Sequence, residues 1–245
     1  MRMEVLGSAG SYSDAAAPAS GYLFTENVTS LVVDMGPGTF ERLAAISDPG
    51  GLSAVVITHK HVDHCSDIYA LFHYLAYGPG GLVPMPLYAP DGAFEALAGL
   101  GGDKFRQVFT QHTIGQDDEA DVESLHLRFA DTEHSVPGVG VRVLGEAGAV
   151  VYSSDTGPGG GIPDLAHGAK VLMCEATFQG QRPADGYQLH MTAKEAGELA
   201  ARSAAGKLIL THIPPSLDPV LSQAEAQAVY TGQVLVAEPG LEIEI

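Results

Sequence analysis

The segment from Thr58 to His64 constrains this chain more than any other, because three histidines and one aspartate follow directly on an apolar stretch. Residues 54–57 are apolar and strand-like, so the polar residues are predicted to leave a buried strand on a loop, where irregular backbone can direct several side chains at one cation. Neutral imidazole and carboxylate groups suit zinc, manganese or iron. The run holds no cysteine, which argues against a sealed structural zinc. We therefore expect an open, catalytic metal site rather than a histidine-rich surface turn.

Three further candidate ligands lie downstream. Asp155 follows the apolar residues 149–152, and His212 follows residues 207–211, so both are predicted at strand exits. His134 follows a polar flank, residues 131–133, which is less diagnostic. The remaining histidines considered lack such a context and are expected to be ordinary surface or interface residues: His73, His112, His126 and His167.

The pattern His59-x-His61-x-Asp63-His64, followed by the three downstream residues, resembles the metallo-β-lactamase superfamily in its dinuclear form. The resemblance implies an α/β (α+β) fold, the four-layer αββα sandwich. It implies that His59, His61 and His134 hold a first metal, that Asp63, His64 and His212 hold a second, and that Asp155 bridges both. It also implies two divalent ions as cofactors, with zinc favoured over manganese or iron. The nucleophile would be a metal-bridging hydroxide oriented by Asp63 and Asp155.

A second motif, His190-Met191-Thr192 before a predicted helix, is similar to the late motif of ribonuclease Z-like phosphodiesterases. This similarity implies that His190 contacts the scissile phosphate as a catalytic residue. The alternative is a histidine that only helps to cap the helix, which begins at the capping box Thr192-x-x-Glu195.

Two acidic residues are predicted to lie behind the ligands. The turn that begins at Asp34 resembles the family's Asp-x-Gly-x-Gly-Thr turn, so Asp34 is expected to accept an N–H from a metal-bound imidazole. The alternative is that Asp34 caps the following helix. Glu175 is the other candidate, with His190 as its expected partner.

The amino-acid composition limits the kinds of molecule that this chain is expected to bind. The chain has 30 acidic and 12 basic residues, a formal charge of −18, which disfavours binding of long nucleic acid. No apolar run is long enough to span a bilayer, and the first residues show no secretion signal, so a cytoplasmic location is expected. Two cysteines are too few for a disulfide framework, and Cys65 and Cys174 are expected to be reduced.

We expect a single domain over residues 1–245. A homodimer is considered through an aromatic helix face, Tyr69, His73 and Tyr77.

The apolar pattern predicts strands and helices that alternate along much of the chain. Strands are predicted at 3–7, 21–25, 29–34, 53–57, 122–130, 139–144, 149–153, 171–174, 207–211 and 233–236. Helices are predicted around 38–47, 66–77, 91–100, 162–168, 192–204 and 219–230. The Gly- and Pro-rich stretches at 78–86 and 157–163 are predicted to be loops.

These observations favour a phosphodiesterase that acts on a small phosphodiester. The resemblance is closest to the atypical class II cyclic-nucleotide phosphodiesterases of actinobacteria, through residues 19–23, 154–157, 174–176 and 210–215, so cyclic AMP is the leading substrate. A thioesterase or lactonase on the same scaffold, like glyoxalase II, is the first alternative. A ribonuclease Z-like RNA nuclease is the second, although His134 and Asp155 are only 21 residues apart, which leaves no room for that family's tRNA-gripping arm. A non-catalytic metal-binding module is a further alternative.

Overall fold

The computed structural model describes residues 1–183 and 189–245. Within them the strands form two sheets of seven strands each. The first sheet has the order β14-β1-β2-β3-β4-β5-β6. Its strands are β1 (Arg2–Gly7), β2 (Gly21–Glu26), β3 (Thr29–Val33), β4 (Ala54–Val56), β5 (Met85–Ala89), β6 (Phe109–Thr113) and β14 (Glu242–Glu244).

The second sheet has the order β13-β12-β11-β10-β9-β8-β7. Its strands are β7 (Glu119–Val122), β8 (Leu125–Asp131), β9 (Val139–Gly145), β10 (Gly148–Tyr152), β11 (Val171–Glu175), β12 (Lys207–Thr211) and β13 (Gln233–Val236).

Helices cover the outer face of each sheet. They are α1 (Thr39–Ile46), α2 (Val62–Cys65), α3 (Ile68–Tyr77), α4 (Ala93–Val108), α5 (Ile162–Leu165), α6 (Ala193–Arg202) and α7 (Pro219–Gln227), with a short 3₁₀ turn at Pro49–Gly51. One buried apolar cluster lies between the sheets, a second joins the first sheet to α1, α3 and α4, and a third joins the second sheet to α5, α6 and α7. The predicted four-layer αββα sandwich is confirmed.

The central strands are apolar on both faces because both faces are covered. In β10, Val150 and Tyr152 belong to the cluster between the sheets, whereas Val151 packs toward the outer helices. A parallel sheet covered on both sides requires such nearly continuous apolar strands. β3 to β6 are mutually parallel, and so are β10 to β13. Parallel strands end at one edge of their sheet, which places the loops that follow them side by side.

Several predicted boundaries were wrong, and the reasons are local. β5 begins at Met85–Pro86, inside the stretch predicted as a loop, and β6 is an edge strand whose last four residues are exposed. The start of β5 is obscured by the glycines and prolines that precede Leu87, and β6 has no run of buried apolar residues to reveal it. The predicted strand 122–130 is divided between β7 and β8 at Glu123, which has a left-handed φ of 51°. The predicted helix 91–100 continues to Val108 across a change of direction at Gly102.

The helix start at Thr192 is confirmed. The Thr192 side chain accepts a hydrogen bond from the Glu195 backbone N–H, and the Glu195 carboxylate accepts one from the Thr192 backbone N–H at 2.8 Å. In the described parts of the chain, every helix is too short or too polar to cross a membrane.

Candidate metal centre

The seven predicted ligands lie at the ends of strands whose carboxyl ends meet. His59 and His61 follow β4, and Asp63 and His64 lie in the short helix α2 that comes next. The other three follow strands of the second sheet: His134 after β8, Asp155 after β10 and His212 after β12. The structure therefore brings together segments from both sheets at one end of the sandwich.

Left-handed backbone conformations turn the chain at these exits. Ser154 has a φ of 54°, His212 also 54° and Asp34 62°, although none of them is glycine. Such conformations cost roughly 1–3 kcal/mol each and persist where the surrounding structure imposes them. Here they direct side chains from the strand ends toward a common point.

A first group of ligand atoms comes from three histidines and Asp155. Nδ1 of His61 lies 3.1 Å from Nε2 of His59 and 3.0 Å from Nε2 of His134. One carboxylate oxygen of Asp155, Oδ2, lies 3.7 Å from the His59 Nε2 atom and 3.9 Å from the His134 Nε2 atom. The four ligand atoms all lie within 4.8 Å of one another.

A second group uses the other oxygen of the same aspartate. Oδ1 of Asp155 lies 3.2 Å from Nε2 of His64 and 3.3 Å from Nε2 of His212. Asp63 completes the group, with its Oδ2 atom 3.3 Å from the His212 Nε2 atom and 3.8 Å from the His64 Nε2 atom. Asp155 thus presents one oxygen to each group.

Both groups fit divalent metal ions. Four ligand atoms around zinc, at bonds of about 2.0–2.1 Å in a tetrahedron, are separated by about 3.3 Å, and the distances above bracket that value. The His64 Nε2 atom and the Asp155 Oδ1 atom are buried without a hydrogen-bond partner in the described chain. Buried polar atoms without a partner are costly, and a bound cation between them would satisfy both.

In His64 and His134 the Nε2 atom faces the ligand group, and the Nδ1 atom is hydrogen-bonded to the protein. This hydrogen bond fixes the tautomer whose Nε2 atom can bind a metal ion. Nδ1 of His64 donates to Asp34 at 2.7 Å, and Nδ1 of His134 donates to the carbonyl of Leu189 at 3.1 Å. Such contacts orient metal-binding imidazoles and raise their basicity.

His59 and His212 are oriented by hydroxyl groups. Nδ1 of His59 lies 3.3 Å from the Thr58 hydroxyl and 3.4 Å from the Ser154 hydroxyl. The Thr177 hydroxyl donates to Glu175 at 2.7 Å, and so it must accept from Nδ1 of His212, 2.9 Å away. The Nε2 atom of His212 therefore faces the second group without a proton.

Asp34 is buried and bonds to groups around the metal loop. Its carboxylate accepts from the Thr58 backbone N–H at 2.8 Å, the Thr58 hydroxyl at 2.9 Å and the Tyr152 hydroxyl at 3.2 Å, in addition to His64. The alternative that Asp34 caps α1 is wrong, because Gly38 occupies the N-cap position. Asp34 joins β3 to the loop that follows β4.

Glu175 and His190 form a pair beside Asp155, and the His190 ring contacts His134 of the first group and His212 of the second. Nδ1 of His190 lies 2.9 Å from Glu175 Oε1 and 3.9 Å from Asp155 Oδ2. The buried Glu175 carboxylate also accepts from the backbone N–H groups of Thr156 and Met191, at 2.7 and 3.1 Å. The cap of α6 is Thr192, so the His190 side chain is not the capping group.

The protonation of the site follows from burial and charge. Burial is the largest influence on His59, His61 and His134, and it holds the pKa of each imidazole below its usual value. These rings are therefore neutral near pH 7, as metal ligands must be. Burial would also lower the pKa of His190, but the hydrogen bond and charge of Glu175 outweigh it and raise that pKa.

Several contacts at the site were not predicted. The Ser11 backbone N–H donates to the Asp63 carboxylate at 3.0 Å, although Ser11 was not among the candidate residues. Gly10 lies so close to the His212 carbonyl that an added Cβ would meet its oxygen at 2.2 Å. The glycine- and serine-rich loop 7–11 was the available signal, but sequence alone does not show what a permissive loop packs against.

The four histidines expected to lie apart from the ligands do so. His112 stacks on Tyr88 with ring centres 4.7 Å apart, and His126 lies 2.7 Å from an Asp121 oxygen. His73 contacts the ring of Tyr77, and His167 is exposed.

An open cavity of about 550 Å³ adjoins the first group of ligand atoms. Its lining includes His134 itself and the residues that follow it, Ser135 to Gly138. Asp91 and Gln116 lie on another wall. The volume is in the range that accommodates a small organic molecule.

Residues 29–213 match the family described as the β-lactamase superfamily domain. The chain belongs to the metallo-β-lactamase superfamily. It is a metal-dependent hydrolase of that superfamily, and both the fold and the paired ligand groups agree with this assignment.

Relatives of this superfamily hydrolase match most of its length. It is 35% identical to the uncharacterized protein ML1173 of Mycobacterium leprae over 93% of this chain and 83% of the relative. It is 30% identical to a ribonuclease Z of Mycolicibacterium paratuberculosis over 76% of each chain. The crystal structure of the metallo-β-lactamase fold protein YhfI from Bacillus subtilis superposes with a TM-score of 0.90 at 27% identity, over 100% of this chain and 98% of YhfI.

Proposed function

We propose that this hydrolase is a phosphodiesterase that binds two divalent ions, with zinc as the favoured metal, and cleaves a small phosphodiester such as a cyclic nucleotide. The observation that carries the proposal is the position of Asp155, whose two carboxylate oxygens face two separate groups of ligand atoms. His59, His61 and His134 would hold one ion, and Asp63, His64 and His212 the other. Asp155 would contact both.

When bound, two such ions lower the pKa of a shared water, so that it attacks near neutral pH, and neutralise charge on phosphoryl oxygens. The chain supplies orientation and proton acceptance. Asp63 is suited to this role because burial alone would raise the pKa of its carboxyl, but the neighbouring His212 and His64 imidazoles hold that pKa below its usual value. The Ser11 backbone N–H also donates a hydrogen bond to the carboxylate. An ionised carboxylate can accept a proton from attacking water.

His190 would act on the substrate rather than on the metals. Glu175 accepts a hydrogen bond from Nδ1 of His190 and favours its charged form. The opposite ring nitrogen, Nε2, would then donate to a non-bridging or departing oxygen of the phosphodiester. A donor placed where negative charge develops stabilises the transition state more than the bound substrate.

The ribonuclease Z relative supports a phosphodiester rather than a thioester or lactone as the substrate, because a ribonuclease cleaves phosphodiester bonds. A small substrate is supported by the formal charge of −18, because phosphate-rich polymers bind through many lysines and arginines. Cyclic AMP is the leading candidate among small phosphodiesters.

Purified protein loaded with zinc or manganese should be assayed in parallel on cyclic AMP, bis-p-nitrophenyl phosphate, a thioester and a lactone. We expect turnover of the two phosphodiesters. Turnover of the thioester or lactone with neither phosphodiester cleaved would refute the proposal and favour the carbonyl hydrolase.

A matched pair of variants tests the role of His190. His190→Gln should keep two metal ions and lose activity on phosphodiesters, whereas His167→Gln, at an exposed histidine outside the site, should behave as the wild type. Loss of metal from His190→Gln would show that His190 is a ligand instead.

Three broader expectations stay predictions. They are a single domain over residues 1–245, a cytoplasmic location and a homodimer through the face of Tyr69, His73 and Tyr77.

A further inference from the structure

A second cavity, of about 470 Å³, lies behind the segment that carries His212. Thr211 and Ile213, on either side of that histidine, line it, and so do Ser8 and Ala9 of the first loop. In the described parts of the chain, its lining contains none of the seven candidate metal ligands. The cavity is therefore a separate space that shares a wall with the metal centre.

The walls of this cavity carry both polar and apolar surface. Much of the apolar surface comes from prolines and leucines in β12, in the loop after it and in neighbouring segments: Leu210, Pro214, Pro215, Leu217, Pro219 and Pro239. Such a surface favours the apolar body of a small molecule over water.

One cationic side chain, Arg42 of α1, also lines the cavity. Arg42 is half-buried, and its Nε atom is buried with no hydrogen-bond partner among residues 1–183 and 189–245. Within those ranges no carboxylate lies at ion-pair distance from its guanidinium. Other arginines of this acidic chain do pair, as Arg106 does with Glu95 and Arg182 with Glu195.

An unpaired, partly buried guanidinium at the edge of this cavity requires an acceptor. The planar fork of N–H groups matches a carboxylate in particular, because two parallel hydrogen bonds can form. Asp14 and Glu238 line the same cavity, so a head group with two negative charges would be repelled more strongly than one with a single charge.

We propose that this cavity is a binding site for a small organic carboxylate. The carboxylate pairs with Arg42, and the apolar body lies against the prolines and leucines. The site is independent of the reaction at the metal centre, and its test does not use activity.

The probe is 1-naphthoate, with 1-naphthalenemethanol as a neutral molecule of nearly the same shape. Isothermal titration of the metal-loaded protein should show that naphthoate binds at least tenfold more tightly than the alcohol. Arg42→Gln should remove that preference. Arg202→Gln, which removes the same charge from an exposed position on α6, should leave it unchanged.

A second variant tests the space rather than the charge. Ala16 is exposed and lines the cavity, so Ala16→Trp should obstruct it without removing Arg42 and should weaken naphthoate binding at least tenfold. If Arg42→Gln does not fold, Ala16→Trp still tests whether naphthoate binds in this cavity. Equal binding of naphthoate and the alcohol, no binding of naphthoate, or unchanged binding in the folded variants would overturn the proposal. Binding that depends on the metal ions but not on Arg42 would overturn it as well.

Discussion

Gly36 offers a test of how the fold holds the second group of ligands. A Cβ added at Gly36 would lie 2.0 Å from the carbonyl oxygen of Asp63 and 2.8 Å from the Cβ of Ala19. The backbone N–H of the preceding residue, Met35, bonds to the carbonyl of His64 at 2.7 Å. The turn after β3 is therefore in direct backbone contact with the helix that carries two ligands.

The expected displacement follows from these distances. Contacts of a Cβ below 3.0 Å are essentially never observed, so Gly36→Ala must separate residue 36 from the Asp63 backbone by at least the missing 1.0 Å, which we expect to displace Asp63. Metal sites tolerate deviations of only about 0.2 Å in ligand distance. We expect loss of the ion held by Asp63, His64 and His212. Activity should fall roughly 100-fold or more, as for other misplacements of about 1 Å.

The assay is elemental analysis after dialysis, combined with unfolding in urea. Gly36→Ala should retain about one ion per chain, and overpacking should lower the free energy of unfolding by about 1–3 kcal/mol. Gly99→Ala is the matched control, since Gly99 lies on the exposed side of α4 with no atom within 4 Å of its added Cβ. The control should keep both ions and gain up to about 1 kcal/mol in helix stability. Two ions and wild-type turnover in Gly36→Ala would refute the reasoning.

Four further predictions concern the surroundings of the site. Asp34→Asn places an amide among four donors, so metal affinity should fall about 10–100-fold in a competitive chelator titration. Unchanged affinity would show that the contact of Asp34 with His64 does not support metal binding. His190→Gln should lower kcat about 100-fold or more with two ions retained, measured by steady-state kinetics and elemental analysis. Thr192→Ala should cost about 0.5–2 kcal/mol of unfolding free energy in urea, because the helix cap is lost. Burial raises the pKa of the Cys65 thiol to about 12, so iodoacetamide at pH 8 should label this residue only after unfolding.

The sequence predicted the parts of the molecule that have strong local signals. The central strands are apolar on both faces, so β3, β4, β10, β11 and β12 were recognised close to their observed bounds. The ligand run after β4 was recognisable because so many ligand types follow one another. The fold then followed from the resemblance, and the structure and the family match confirm it.

Other features have no local signal. The hydroxyls of Ser154 and Thr177 orient imidazoles only because strand ends that are distant in the sequence lie side by side. The contact of Ser11 with Asp63 spans 52 positions of sequence. The orphaned Nε of Arg42 can be recognised only once burial and neighbouring acceptors are known. Such pairings depend on three-dimensional packing rather than on any pattern within a segment.

The central claim is that one carboxylate joins two metal ions. The most direct measurement is anomalous diffraction from crystals of the metal-loaded protein, collected at the absorption edge of the bound metal. The account predicts two peaks per chain, one in contact with each oxygen of Asp155. A single peak, or two peaks of which only one touches Asp155, would contradict it.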